Sequence, residues 1–165
     1  MLTAPAARLP AVLETSFWTV AYRAEIAANC LDFFEIIVPR GVEDEILTRH
    51  PEGLREYPQA TLFRHLRGFM KDPPEGPLER LPMLGRGEAE AIPLAQRLQL
   101  PLLINDWRAA RYARGLQIPV ITPASIIVLL YQRGIISRRA ARRKVQSIEP
   151  FTVREFLDDA RAGLR

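Results

Sequence analysis

Several common chemistries lack their raw material in this chain. It holds one cysteine, Cys30, so no disulfide can form within it, and a reducing setting is the default. The apolar neighbours Leu31 and Phe33 suit a buried core thiol. There are only two histidines, His50 and His65, both in a proline-broken stretch. A zinc site needs more, and each is expected on the surface or in packing. Ser16 has no local histidine partner, which leaves a hydrolytic triad unsupported. The one Gly-x-Gly, Gly85-Arg86-Gly87, lacks the Lys-Ser/Thr continuation of a phosphate loop. The apolar run 126–130 is far short of the ~20 residues of a membrane span. The start is interrupted by Pro5, Arg8 and Pro10, so no targeting segment stands out and a cytoplasmic protein without a membrane partner is expected. Lysine is scarce as well: Lys71 and Lys144 are the only two, and arginine supplies the rest of the positive charge. The net charge of +4 is compatible with nucleic acid, because arginine grips phosphate bidentately, and equally with compositional bias.

What is present reads as one domain. With 165 residues, 48% hydrophobic and 25% charged, the chain can bury roughly two thirds of its unfolded surface. Short apolar runs at 11–13, 36–38, 101–105 and 119–121 are strand candidates. Between them lie expected helices at 17–31, with Thr15 or Ser16 as N-cap, and at 42–47, 87–98 and 109–116. A helix at 124–133 closes at Gly134, and a basic helix at 138–145, a short strand near Ile148 and a last helix from Val153 complete the pattern. Strands alternating with helices imply a parallel sheet covered on both faces, a three-layer α/β/α fold. The core is expected over about 11–137, followed by a helical tail at 138–165. The stretch 50–84, broken by prolines 51, 58, 73, 74, 77 and 82, should hold short helices around Leu62, Phe63 and Leu66 and could form a lid or an oligomer contact.

Parallel sheets put their active sites at the carboxyl ends of strands. Glu14 follows the first strand candidate and Asp106 the third, the latter serving either a crevice or the N-cap of the next helix. On the helix at 42–47, Glu45 lies at the margin of the buried stripe, while Glu43 and Asp44 point outward. On the helix after Gly87, Glu88 extends the apolar face and Glu90 sits further round; either could simply favour the helix dipole. Four carboxylates at the edge of one sheet repel one another unless a cation joins them. Oxygen-only ligands select Mg2+ or Mn2+, which can polarise a phosphoryl group and activate water.

The order strand-acid-Thr-Ser, Val-Pro-x-x-Val-x-x-Glu, Gly-Glu-x-Glu-Ala-Ile and Asn-Asp-x-x-Ala-Arg resembles the PIN domain. The most specific stretches are Leu103-Ile104-Asn105-Asp106-Trp107-Arg108-Ala109-Ala110-Arg111 and Gly115-Leu116-Gln117-Ile118-Pro119-Val120. The resemblance implies a metal-dependent endoribonuclease, often a toxin paired with an antitoxin protein and often dimeric. It implies Glu14, Glu45, Glu88 and Asp106 as catalytic and metal-holding, with Ser16 and Asn105 supporting. Three positions depart from the family pattern: Glu14 where aspartate is usual, Asn105 where a second aspartate is common, and Pro93 inside the Glu88 helix, which should kink it. A PIN fold weakened in catalysis that binds RNA or a protein is the alternative reading. For RNA contact, Arg108 and Arg111 lie next to Asp106. The cluster Arg138, Arg139, Arg142, Arg143 and Lys144 either tracks phosphate or is a solvated face paired with Asp158 and Asp159. Trp107 and Trp18 either stack on bases or pack in the core.

Overall fold

The structure, a computed structural model, describes residues 7–48, 56–79, 81 and 85–165; His50, Pro51 and Pro82 lie outside them. Four strands form one all-parallel sheet: β1 (Leu9–Leu13), β2 (Phe34–Ile37), β3 (Leu102–Leu103) and β4 (Val120–Ile121), in the order β2-β1-β3-β4. The helices among the described residues are α1 (Thr15–Arg23), α2 (Ala27–Phe33), α3 (Arg40–Ile46), α4 (Pro58–Leu66), α5 (Arg86–Leu98), α6 (Trp107–Gly115), α7 (Pro123–Gln132), α8 (Arg138–Ile148) and α9 (Arg154–Gly163). From β1 the chain moves one way to β2 and then back across to β3 and β4. Right-handed crossovers therefore place α1 and α2 on one face and α5 and α6 on the other. The expected α/β layering is what forms.

Central strands buried on both faces should be continuously apolar, and Ala11, Val12, Leu13, Leu102, Leu103 and Ile104 are all fully buried. β3 is shorter than the expected 101–105, although Ile104 still donates to the Ile121 carbonyl at 3.0 Å. The expected long helix at 17–31 is two helices. Glu25 takes a left-handed φ of 55°, and the chain turns there so that both Trp18 and Cys30 reach the core. Cys30 is the buried thiol expected, and burial pushes its pKa up to about 12. Neither Thr15 nor Ser16 caps α1; Glu14 does, accepting from the Ser16 amide. Pro93 sits inside α5, which continues through it to Leu98 at the cost of one backbone hydrogen bond.

The tail departs most from expectation. No strand forms near Ile148; α8 runs through it into a 3-10 turn at Glu149–Phe151. Helices α8 and α9 pack on α7, and Ala141, Val145, Ile148, Phe156, Leu157, Ala160 and Leu164 join the one core cluster. Asp158 pairs with Arg154 and Arg161 rather than with α8. In the 56–79 stretch, α4 carries the expected short helix, with Phe63 edge-on to Trp18 at 5.3 Å between ring centroids.

Candidate active site

The sheet order reverses between β1 and β3, and an open α/β sheet binds its ligand outside the carboxyl ends of the strands at such a point. Leu13 pairs with Leu103 in register, so Glu14 and the Asn105-Asp106 pair leave the sheet side by side. Ser16 joins them. Its hydroxyl donates to Glu14 Oε2 and accepts from the amides of Asn105 and Asp106, each at 2.9 Å, across as many as 90 positions of sequence.

Each acid is held by local chemistry. Glu14 is 2% exposed. Burial, and less strongly the nearby Glu88 and Glu45, push its pKa up to about 7 against the lowering effect of the Ser16 hydrogen bonds. Glu45 accepts from the Gly87 amide at 2.7 Å through Oε1 and from the Thr15 hydroxyl at 2.5 Å through Oε2. Glu88 stands in the first turn of α5, accepts from the Gly85 amide at 3.3 Å, and has its pKa raised by burial and then by Asp106 and Glu45. Asp106 caps α6, accepting from Ala109 N at 2.8 Å through Oδ1. Crevice and cap were alternatives in the sequence; here the cap uses one oxygen and leaves Oδ2 without a hydrogen bond to a described residue. The second oxygens of Glu14 and Glu88 are likewise unengaged by described residues. Both oxygens of Glu45 are occupied.

Glu14 and Asp106 each stand close enough to Glu88 to be coupled to it electrostatically, and Glu45 is coupled to both Glu14 and Glu88. Among the described residues, no three His, Cys, Asp or Glu side chains stand where they could hold one metal ion. Backbone amides and hydroxyls, rather than a common centre, fix each carboxylate. The donor set itself, all oxygen, fits a hard cation.

Glu90 is the acid that sequence reasoning underrated. It is 7% exposed, more buried than Glu88, and accepts from the Gly41 amide at 2.6 Å. The chain's own Gly41, at the start of α3, was the available signal, since a glycine there admits a carboxylate from a neighbouring helix. Asn105 is also more than a neutral replacement. Its Nδ2 donates to the Phe151 carbonyl at 2.9 Å and its Oδ1 accepts from the Thr152 hydroxyl at 3.2 Å, which ties the tail to the edge.

Residues 28–154 match the model of the PIN-domain family DUF3368, well over half of the chain. The chain belongs to the PIN-domain family. The match begins after Glu14 and runs through α8, beyond the 137 boundary expected for the core. No curated protein matches. A solved PilT N-terminus domain protein from the hyperthermophilic archaeon Sulfolobus solfataricus P2 is similar at 15% identity, covering 71% of this chain and 89% of its own, with a TM-score of 0.49. The PIN domain is generally a nuclease fold that uses divalent metal. No described helix of this one is long and apolar enough to cross a membrane.

The flanks of the PIN edge differ from one another. Arg108 is exposed, with no ion pair to a described residue, whereas Arg111 lies 5.3 Å over the Trp107 ring. Trp107 donates its indole N–H to Glu155 at 2.9 Å, and Trp18 donates to the Gln59 carbonyl from within the core. Both indoles are committed to the fold.

Proposed function

We propose that this PIN domain is a divalent-metal-dependent endoribonuclease that hydrolyses RNA phosphodiester bonds at the carboxyl edge of β1 and β3. The observation that carries the reading is the placement of Glu14 and Asp106 side by side at the carboxyl ends of β1 and β3, where the strand order reverses, with Glu88 and Glu45 near enough to add to the rise in pKa that burial gives Glu14. Mg2+ keeps several waters and takes one or two carboxylates, so the unengaged oxygens of Glu14, Glu88 and Asp106 suit it, or Mn2+, without a three-ligand cage. When bound, such an ion polarises phosphate and makes water a better nucleophile. The chain's own residues do the positioning. Ser16 sets Glu14 against the Asn105-Asp106 backbone, and Thr15 with the Gly87 amide fixes Glu45 beside Glu88. Glu45 supports the cluster from the side rather than offering a donor.

The test compares RNA cleavage in added Mn2+ by the native chain and by Asp106→Asn. A drop of about a hundredfold or more is expected for the variant, the usual scale for losing a group that stabilises a transition state. Equal rates would overturn the reading. Among the described residues no three acids stand where they could hold one metal ion, which favours a second reading, in which the PIN fold acts by binding RNA or a protein; no cleavage from either chain, together with measured binding of RNA or of a partner protein, would support it. A toxin role within the first reading requires a small antitoxin-like protein encoded beside this one, checked by co-purification.

A further inference from the structure

An exposed aromatic ring carrying an arginine that makes no ion pair with a described residue stands beside the acid edge. Phe151 presents 45% of its surface to solvent, and the Arg23 guanidinium lies 3.9 Å over its ring. The backbone carbonyl of Phe151 accepts from Asn105, the residue preceding Asp106, so the ring is tied to the edge. Arg23 also lines a cleft of about 280 Å³ between the end of α1 and the flank of α8, together with Arg143 and Lys144. Lys144 is used within the fold, donating to the Ala24 carbonyl at 2.8 Å. Arg23 and Arg143 are exposed and make no ion pair with a described residue, and Glu25 is the one acid on the lining.

We propose that an RNA strand held at the acid edge continues over Phe151 and Arg23 into the cleft between α1 and α8, with Phe151 stacking a base and Arg23 and Arg143 holding phosphates. This deepens the ribonuclease reading and rests on it for the position of the strand's other end. The chemistry is matched in three ways. An aromatic face accepts any base. A guanidinium lying on a ring still directs its N–H groups outward in the plane toward phosphate oxygens. Arg139, Arg142 and Arg143 are spaced three and four residues apart on one helix face, repel one another, and are relieved by a polyanion. The opposite flank is less suited, because Glu155 sits among Arg111, Arg114 and Trp107 and offsets their charge. A lipid surface is disfavoured, because the apolar face of α8 (Ala141, Val145, Ile148) is buried in the core and leaves nothing to insert.

The experiment measures anisotropy of a labelled single-stranded oligoribonucleotide against the whole chain in EDTA, at several salt concentrations. Phe151→Ala and Arg23→Ala should each weaken binding about tenfold. Phe151→Leu, which keeps apolar bulk without a π face, should resemble the alanine variant. Arg143→Ala should lower the salt slope by about 0.7, the contribution of one phosphate contact on a single strand. Arg133→Ala, an exposed arginine at the far end of α7, should stay within about twofold. Unchanged affinity in the Phe151 and Arg23 variants would overturn the proposal, as would a loss confined to Arg133→Ala, or capture by anionic vesicles without oligonucleotide binding. Because the readout is free of metal, a chain that binds in this pattern in EDTA yet cleaves no RNA in added Mn2+ sinks the ribonuclease reading and leaves this surface standing.

Discussion

Glu14 is asked to be buried and to be charged, and the two demands oppose each other. Its folded pKa of about 7 lies above the ordinary 4.5, so between those values the folded chain keeps a proton that the unfolded chain has lost. Stability from this group is therefore fully present below about pH 4.5 and is lost as pH rises through 7, by on the order of 3 kcal/mol. Urea titrations in EDTA should show that decline, and Glu14→Gln should flatten it; an unchanged slope in the variant would place the effect elsewhere. The same crowding dictates a glycine. A Cβ at Gly87 would lie 2.5 Å from Glu45 Oε2 and 2.8 Å from Thr15 Oγ1, so Gly87→Ala should cost about 1–3 kcal/mol and disturb the edge. Gly115→Ala meets nothing within 4 Å and should be neutral or mildly stabilising. Thermal melts of the pair decide between crowding and a general intolerance of alanine. At this scale the sequence was informative about identity and poor about partners. Acidic side chains at strand ends could be named, but Glu45 turning both oxygens to Gly87 and Thr15 depends on how three separate segments approach.

Helices α3 and α5 exchange caps. Glu90 of α5 accepts from Gly41 at the start of α3, and Glu45 of α3 accepts from Gly87 at the start of α5. Neither helix has a side-chain cap of its own at the residue before it, Pro39 or Gly85. Each carboxylate also meets the positive end of the partner's dipole. Glu90→Ala should therefore cost about 2 kcal/mol by stranding a buried amide, measured by urea unfolding, and should leave Mn2+ binding by the folded chain unchanged. A large loss of metal affinity with intact stability would show Glu90 to be part of the site instead. Helical periodicity located both elements within two residues, yet it ranked Glu88 above Glu90 as the inward acid. Periodicity reports the face toward the sheet, whereas Glu90 is buried against another helix. The break at Glu25 was missed for a related reason: a largely apolar stretch carries no mark of a single left-handed residue.

For the molecule as a whole, the α/β class and the sheet edge carrying Glu14 and Asp106 were legible, because strand ends and apolar runs are local. The standing of the tail was not. Its charged face dominates the composition of α8 and hides the small apolar set that the core absorbs. Ending the chain at residue 150 removes Phe156, Leu157 and Leu164, three buried side chains worth about 1.5–3 kcal/mol each, against a whole-domain stability of about 5–15 kcal/mol. That truncated chain should lose its cooperative melting transition, as followed by circular dichroism; a sharp transition near the native temperature would show the tail to be an accessory. The clip that Phe151 and Thr152 place on Asn105 has a consequence in time. Parallel pairing of distant segments is slow to nucleate, and here β1 must wait for β3 before Ser16 finds the amides of Asn105 and Asp106. During synthesis the first acid is made long before the segment that anchors its neighbour, and the clip on Asn105 cannot close until residues 151 and 152 exist.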